Sequence, residues 1–461
     1  MEADPAEHRE ALDEHDLLAE VGRAERGGVA ARAGAEHEHV GCIPSKALLH
    51  VAEGIHETAA LADAGIEYGA PKLDLRRLRA RKDGVVKKLA DGLVALAKRR
   101  EVAVRTGRGA FEAANRIRIE GPDGPQQVEF EHAILAVGSR AVRIPGLPDD
   151  PRIVDSTGAL ALEDVPQRLL VIGGGVIGLE LATVYEALGS RVTVVEMLPD
   201  LLTGVDPDLV KPLRKHVEKR YEAIWCGTRV LQAMAEPAGI RVRFEGPGAP
   251  AEDRFDRDEI GAERAGLRVD ERGFVAVDAE QRTHVPHLFA IGDLTGPPLL
   301  AHRAMHQGKV AAERIAGLPA AFDPLAMPSI AYTDPEIAWA GLTETEAKER
   351  GIEVEKAVFP WAANARALGL ARPEGLTKLL FSKEHGRLLG AGIVGARAGD
   401  LLAEAVVAIE MGADARDLAL AVHPHPTLSE TVGLAAELAA GTITDLVAPR
   451  KRARSAPAEE L

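Results

Sequence analysis

Residues 168–196 restrict the possible folds of this chain more than any other stretch. Arg168-Leu-Leu-Val-Ile172 is a short apolar run with a strand's composition. Gly173-Gly-Gly175-Val-Ile-Gly178 follows at once, then a helical stretch, Leu179–Leu188, then a second apolar run from Arg191 to Val195 that ends in Glu196. Each glycine has its own task. Gly173 permits the tight turn, Gly175 lets a pyrophosphate approach the backbone, and Gly178 lets helix and strand pack closely. Glu196 stands 23 positions beyond Gly173. A carboxylate there accepts from a ribose 2′-hydroxyl and repels a 2′-phosphate, which favours NAD over NADP. The stretch predicts an α/β, Rossmann-like unit.

A second stretch carries acid–base chemistry. His423-Pro-His425-Pro-Thr-Leu-Ser-Glu430 sets an imidazole and a carboxylate five positions apart, ahead of a small-residue helix. A carboxylate can orient the ring and stabilise imidazolium while the far nitrogen faces a substrate. A surface histidine beside a helix cap fits the same spacing, so both readings stand.

Composition excludes some classes. A net charge of −15 argues against nucleic-acid binding, and no apolar run has the length of a membrane span. The two cysteines, Cys42 and Cys226, do not form a disulfide framework, and the opening residues lack the apolar core of a secretion signal. The expected compartment is the reducing cytoplasm.

HPHPTLSE together with Gly41-Cys42-Ile-Pro-Ser-Lys46 resembles the dihydrolipoamide dehydrogenase family of flavin-disulfide reductases, from about Val40 to Leu446. The resemblance implies two Rossmann-like nucleotide-binding domains and an α+β dimerisation domain. Its boundaries would be 40–155 with 277–322 for FAD, 156–276 for NAD, and 323–446 for the interface, after an atypical segment 1–39 and before a disordered tail 447–461. It implies FAD held near Lys46, Ala114, Gly138-Ser139, Gly292-Asp293 and Leu299-Leu300-Ala301-His302, and Val230 near the NAD adenine. It makes His425 the base, acting across a homodimer with Glu430, and Cys42 the flavin-facing thiol. Lys46 would pair with Glu180 beside the flavin. The implied reaction is dihydrolipoamide plus NAD+ to lipoamide plus NADH, on an acyltransferase of a 2-oxoacid dehydrogenase complex. Glutathione reductase carries basic residues where Glu196 sits, and mercuric reductase needs further cysteines.

The chain departs from the family pattern in two places. The first cysteine of CxxxxC is His37, and the Asn usual two residues later is His39. No GxGxxG turn for the ADP half of FAD precedes them; a lone helix around Glu10–Arg26 is the expected structure. His37, His39 and Cys42 also read as HxHxxC, a metal half-site to be set against solvated histidines; no metal is expected. Near Ile260 the sequence jumps straight to Gly261, so the last strand of the NAD domain is expected to be missing. Three alternatives therefore stay open: a disulfide-independent NADH diaphorase or transhydrogenase, a catalytically silent dimeric binding protein, or a frame-altered product. Two local expectations complete the reading. Residues 145–166 read as a linker, and Val85, Val86, Leu89, Leu93, Leu96 and Ala97 form a core-packed helical face.

Overall fold

The structure is a computed structural model that describes residues 29–32, 41–122, 124–139, 147–250, 252–255, 257–260 and 274–446. It divides into two compact units: residues 1–166, 232–241 and 254–323, and residues 167–231, 242–253 and 324–461.

The first unit opens with strand β1 (Val29–Arg32), helix α1 (Cys42–Ala60) and the long helix α2 (Leu75–Arg99). β1 runs parallel to β2 (Ala103–Thr106). A strand thus stands ahead of Cys42, in a segment whose sequence offers no apolar β-run; pairing with a neighbour supplied what local propensity did not. The helix expected at Glu10–Arg26, the residues His37 and His39, and the tail 447–461 lie outside the described residues. β3 (Arg108–Ala113), β4 (Arg116–Gly121) and β5 (Gly124–Glu129) form an antiparallel sheet. β6 (Ala133–Leu135) pairs in parallel with β15 (Leu288–Ala290). Their core joins Ile117, Ile119, Phe130, Ala133, Leu135, Val275, Ala290 and Leu294.

The linker expected at 145–166 instead holds β7 (Ile153–Asp155) and α3 (Ser156–Ala161). Asp155 begins that helix by accepting from the Gly158 amide at 3.0 Å, a cap that fixes its start. β14 (Arg257–Ile260) runs parallel to β7, with Glu259 opposite Val154, so a strand does form where one was expected to be missing. The helical face on α2 exists, but Leu89 and Leu93 are 50% and 69% exposed, and Lys82 is the residue α2 buries. Periodicity identifies a helix; it does not say what covers it.

In the second unit, β8 (Arg168–Ile172), α4 (Val176–Ala187) and β9 (Arg191–Glu196) build the expected βαβ, with β8 and β9 parallel. α5 (Pro207–Val217) leads to β10 (Ala223–Cys226), which pairs in parallel with β9. β11 (Arg229–Glu236), β12 (Gly239–Glu245) and β13 (Glu252–Phe255) have residues in both units. Beyond residue 324 lies a five-stranded antiparallel sheet in the order β16 (Ser329–Ala331), β17 (Glu336–Gly341), β20 (Leu388–Gly395), β19 (Leu376–Ser382), β18 (Val354–Pro360). Helices α7 (Glu344–Glu349), α8 (Ala365–Gly369), α9 (Ala398–Glu410), α10 (Ala415–Leu420) and α11 (Glu430–Ala440) accompany it. α9 and α11 pack on the sheet. The core centres on Phe359, Trp361, Phe381 and Ile393, each at most 2% exposed. The Trp361 indole donates to Thr377 Oγ1 at 3.0 Å, and Thr377 donates to Thr431 Oγ1 at 2.8 Å, so the start of α11 is tied into that core.

Candidate functional site

The nucleotide turn of the second unit has the geometry its glycines imply. Gly173 adopts φ 115°, a conformation that side chains rarely tolerate. Gly175 starts α4 without a capping side chain, and a Cβ there would meet nothing within 4 Å. The first amides of α4 are thus left to an anion. A Cβ at Gly178 would lie 2.1 Å from the Gly173 carbonyl oxygen. Glu196 ends β9, and its two carboxylate oxygens accept from the Gly174 and Leu198 amides, each at 2.7 Å. The acid is thereby fixed beside the turn. These residues fit NAD. Val230 lies half-buried near the start of β11. Gly178→Val should cost about 1–3 kcal/mol of overpacking, and NADH affinity should fall roughly ten- to a hundredfold. Titration of NADH into the purified variant measures it, and unchanged affinity would remove Gly178 from the nucleotide turn.

In the first unit, β6 and β15 are parallel neighbours, so the loops after them emerge side by side. Ser139 therefore donates to Asp293 Oδ2 at 2.5 Å. Gly138 and Gly292 both have positive φ, 69° and 71°. The Gly292 amide donates to Gln307 Oε1 at 2.7 Å, and His287 Nε2 holds the Ala114 carbonyl at 2.7 Å. Gln307 and His287 escaped the sequence reading, because nothing local marks a side chain that supports a distant loop. Leu299 and Leu300 lead into α6 (Ala301–Ile315), which Leu300 starts without a side-chain cap; His302 follows in its first turn. A carboxylate beside open helix-start amides fits the ribityl and phosphate end of FAD. Cys42 is the first residue of α1 and is exposed; Lys46 stands one turn on, on the same face.

His425 and Glu430 are in contact. His425 Nδ1 lies 2.8 Å from Glu430 Oε1, and Glu430 Oε2 accepts from the Thr427 amide at 2.6 Å. The His425 side chain is 73% exposed, so its far nitrogen is open to a substrate, whereas Glu430 is 17% exposed. Burial pushes the Glu430 carboxyl up, but the Thr427 amide and the His425 ring outweigh it and hold the group below its usual value. These bonds therefore add stability above the ordinary glutamate pKa of about 4.3. That contribution is lost as pH falls through the lower folded value. Glu430→Gln should flatten this acid limb in a plot of melting temperature against pH. An unaltered limb would show that Glu430 takes no part. Glu180 is 3% exposed within α4 and accepts from the Tyr332 amide at 3.1 Å.

One further cluster has a metal-site look. Oxygens of Asp206, Asp208 and Glu344 lie within 4.8 Å of one another. Their common partner is the Lys378 ammonium, at 2.8, 2.6 and 2.9 Å. A protein cation already stands where an ion would bind.

A turn that fits a dinucleotide, a second that fits the flavin half of FAD and a carboxylate-held histidine agree with a nucleotide-dependent oxidoreductase. Two family models match the chain: pyridine nucleotide-disulphide oxidoreductase over residues 18–308, and the dimerisation domain of that group over 327–436. The likeness thus reaches back to residue 18, earlier than Val40. Dihydrolipoyl dehydrogenase of Vibrio cholerae is 50% identical over 421 residues, 88% of each chain. That of Haemophilus influenzae is 49% identical over 88% of each. Among solved structures, LpdA of Mycobacterium tuberculosis superposes with a TM-score of 0.81 at 23% identity, covering 89% of this chain and 93% of that one; it speaks to the fold. The chain belongs to the pyridine nucleotide-disulphide oxidoreductase family, whose members use FAD and NAD(H). Among the described residues, no helix is long and apolar enough to cross a membrane.

Proposed function

We propose that this chain is a cytoplasmic homodimer that oxidises dihydrolipoamide with NAD+, serving a 2-oxoacid dehydrogenase complex through its acyltransferase. The reading rests above all on the His425–Glu430 pair, closed at 2.8 Å with the ring's other edge open. His425 takes the thiol proton, and Glu430 stabilises the imidazolium that results. The dithiol gives up two electrons and two protons and becomes lipoamide; NAD+ takes a hydride and one proton is released. FAD, when bound, would supply the two-electron transfer between the dithiol and NAD+. Asp293, Ser139 and the start of α6 would hold its flavin half, and Lys46 would stand beside the ring. Gly173, Gly175, Gly178 and Glu196 would hold NAD.

In the dimerisation domain several apolar residues are exposed: Val407 and Met411 at 62% and 79%, Leu420 and Val422, just before the HPHP segment, at 79% and 98%. Exposed apolar surface in a dimerisation domain supports the dimer, and in the proposal the partner subunit supplies His425. The domain boundaries read from the sequence are retained in this proposal, with 40–155 and 277–322 for FAD, 156–276 for NAD and 323–446 for the interface.

One observation favours a second reading. His37 stands where the exchange cysteine belongs, and an imidazole cannot replace a sulfur that must be attacked. NADH-dependent dye reduction needs no disulfide. Visible spectra of the purified protein before and after NADH, with lipoamide and dye assays, separate the two. A yellow protein that turns over dihydrolipoamide bears out the first. Dye reduction alone moves the function to the second. A colourless dimer defeats both.

A further inference from the structure

We infer that His423 and Glu404 form a positioning pair that holds the base-bearing segment in place for the proposed reaction. This inference rests on that reading of His425. Pro424 and Pro426 have no amide hydrogen, so the segment 423–427 must be ordered largely by side chains. His423 supplies the first anchor. Its Nε2 lies 2.7 Å from Glu404 Oε1 on α9, and its Nδ1 lies 3.0 Å from the Ala421 carbonyl. Both ring nitrogens point at oxygen acceptors. The ring also lies against α11: a Cβ at Gly433 would sit 2.7 Å from His423 Nδ1. His423 is 13% exposed, in contrast to the 73% of His425 two residues on.

The second anchor is at the other end of the segment. Thr427 donates its hydroxyl to the Pro424 carbonyl at 2.7 Å and its amide to Glu430, and the Asn364 side chain holds the Thr427 carbonyl at 3.0 Å. His425 thus hangs between two fixed points, one set by α9 and α11 and one by Asn364 and Glu430. Losing the first would leave the Glu430 bond but let the ring swing about it. A misplacement of about 1 Å in a reacting group can cost on the order of a hundredfold.

The test uses Glu404→Ala and Glu404→Gln in the full chain. Glutamine keeps an acceptor oxygen; alanine does not. In Glu404→Ala, amide hydrogen exchange in peptides covering 421–429 should quicken at least about tenfold, while exchange in β19 and β20 stays as it was. Glu404→Gln should restore most of the protection. In steady-state assays the alanine variant should lose kcat for dihydrolipoamide with little change in KM, and the glutamine variant should recover it. Unchanged exchange at 421–429 would overturn the inference whatever the activity. So would equal loosening of the whole sheet. If the parent shows no lipoamide turnover, the proposed reaction fails, and the exchange result still decides the positioning role.

Discussion

His37→Cys should raise dihydrolipoamide oxidation by at least about a thousandfold, because losing the covalent nucleophile of a catalytic unit costs on the order of 10⁶ in kcat where it has been measured. The substitution recreates two cysteines five positions apart, with Cys42 as the second. A substrate thiolate then has a disulfide to attack: one S–S bond breaks, a mixed disulfide forms, and the Cys42 thiolate leaves. The gain should depend on His425. Adding His425→Gln to His37→Cys should remove about 10²–10⁴ of it, the usual worth of a positioned general base. Dye reduction by NADH should respond little to either change, since it calls for no thiol. Initial rates of dihydrolipoamide oxidation and of dye reduction in the three proteins measure all of this. If His37→Cys gains nothing while the protein stays yellow, position 37 is not the exchange position.

Lys378→Met should produce the largest loss of stability. The Lys378 side chain is 2% exposed and contacts Asp206, Asp208 and Glu344 within 2.9 Å. Asp206 is itself 4% exposed at its side chain and also accepts from the Glu344 and Thr345 amides. Burial raises the Asp206 carboxyl, but the Lys378 ammonium and those amides prevail and keep it below its usual value. Burial likewise works against the charge on Lys378, and its three carboxylates more than restore it. Methionine fills the stem's volume and removes the charge, stranding the buried Asp206 carboxylate, which has no other cationic partner among the described residues; Asp208 and Glu344 keep Lys356. Breaking such a pair from one side costs about 3–5 kcal/mol. Lys356, 44% exposed beside Glu344, provides the control: its replacement should cost at most about 1 kcal/mol. Urea midpoints for the two variants decide it, and equal midpoints would show that the buried network does not stabilise this unit.

The network also shows what could not be read from the residues alone. Lys378 comes from β19, Asp206 and Asp208 from the start of α5, and Glu344 from α7. Nothing in the local sequence marks Lys378 as the acids' partner, because its separation from each of them along the chain exceeds any helical or strand period. The same holds for Gln307 under Gly292 and for Glu404 under His423. The exposed leucines of α2 fail for a related reason: a 3.6-residue period reveals an apolar face but not its neighbour.

What the sequence determined by itself was local and stereochemical. The GGGVIG turn needs glycine where φ is positive and where a Cβ would strike a carbonyl. The acid after it needs only the fixed length of one βαβ unit. His425 and Glu430 are near enough in the chain for one turn to join them. Tertiary structure decided the rest: the strands at β1, β7 and β14, the side-by-side loops that join Ser139 to Asp293, and the buried cation among three carboxylates. Strand pairing and the compensation of buried charge depend on groups that meet only when distant segments pack, so no short stretch of sequence encodes them.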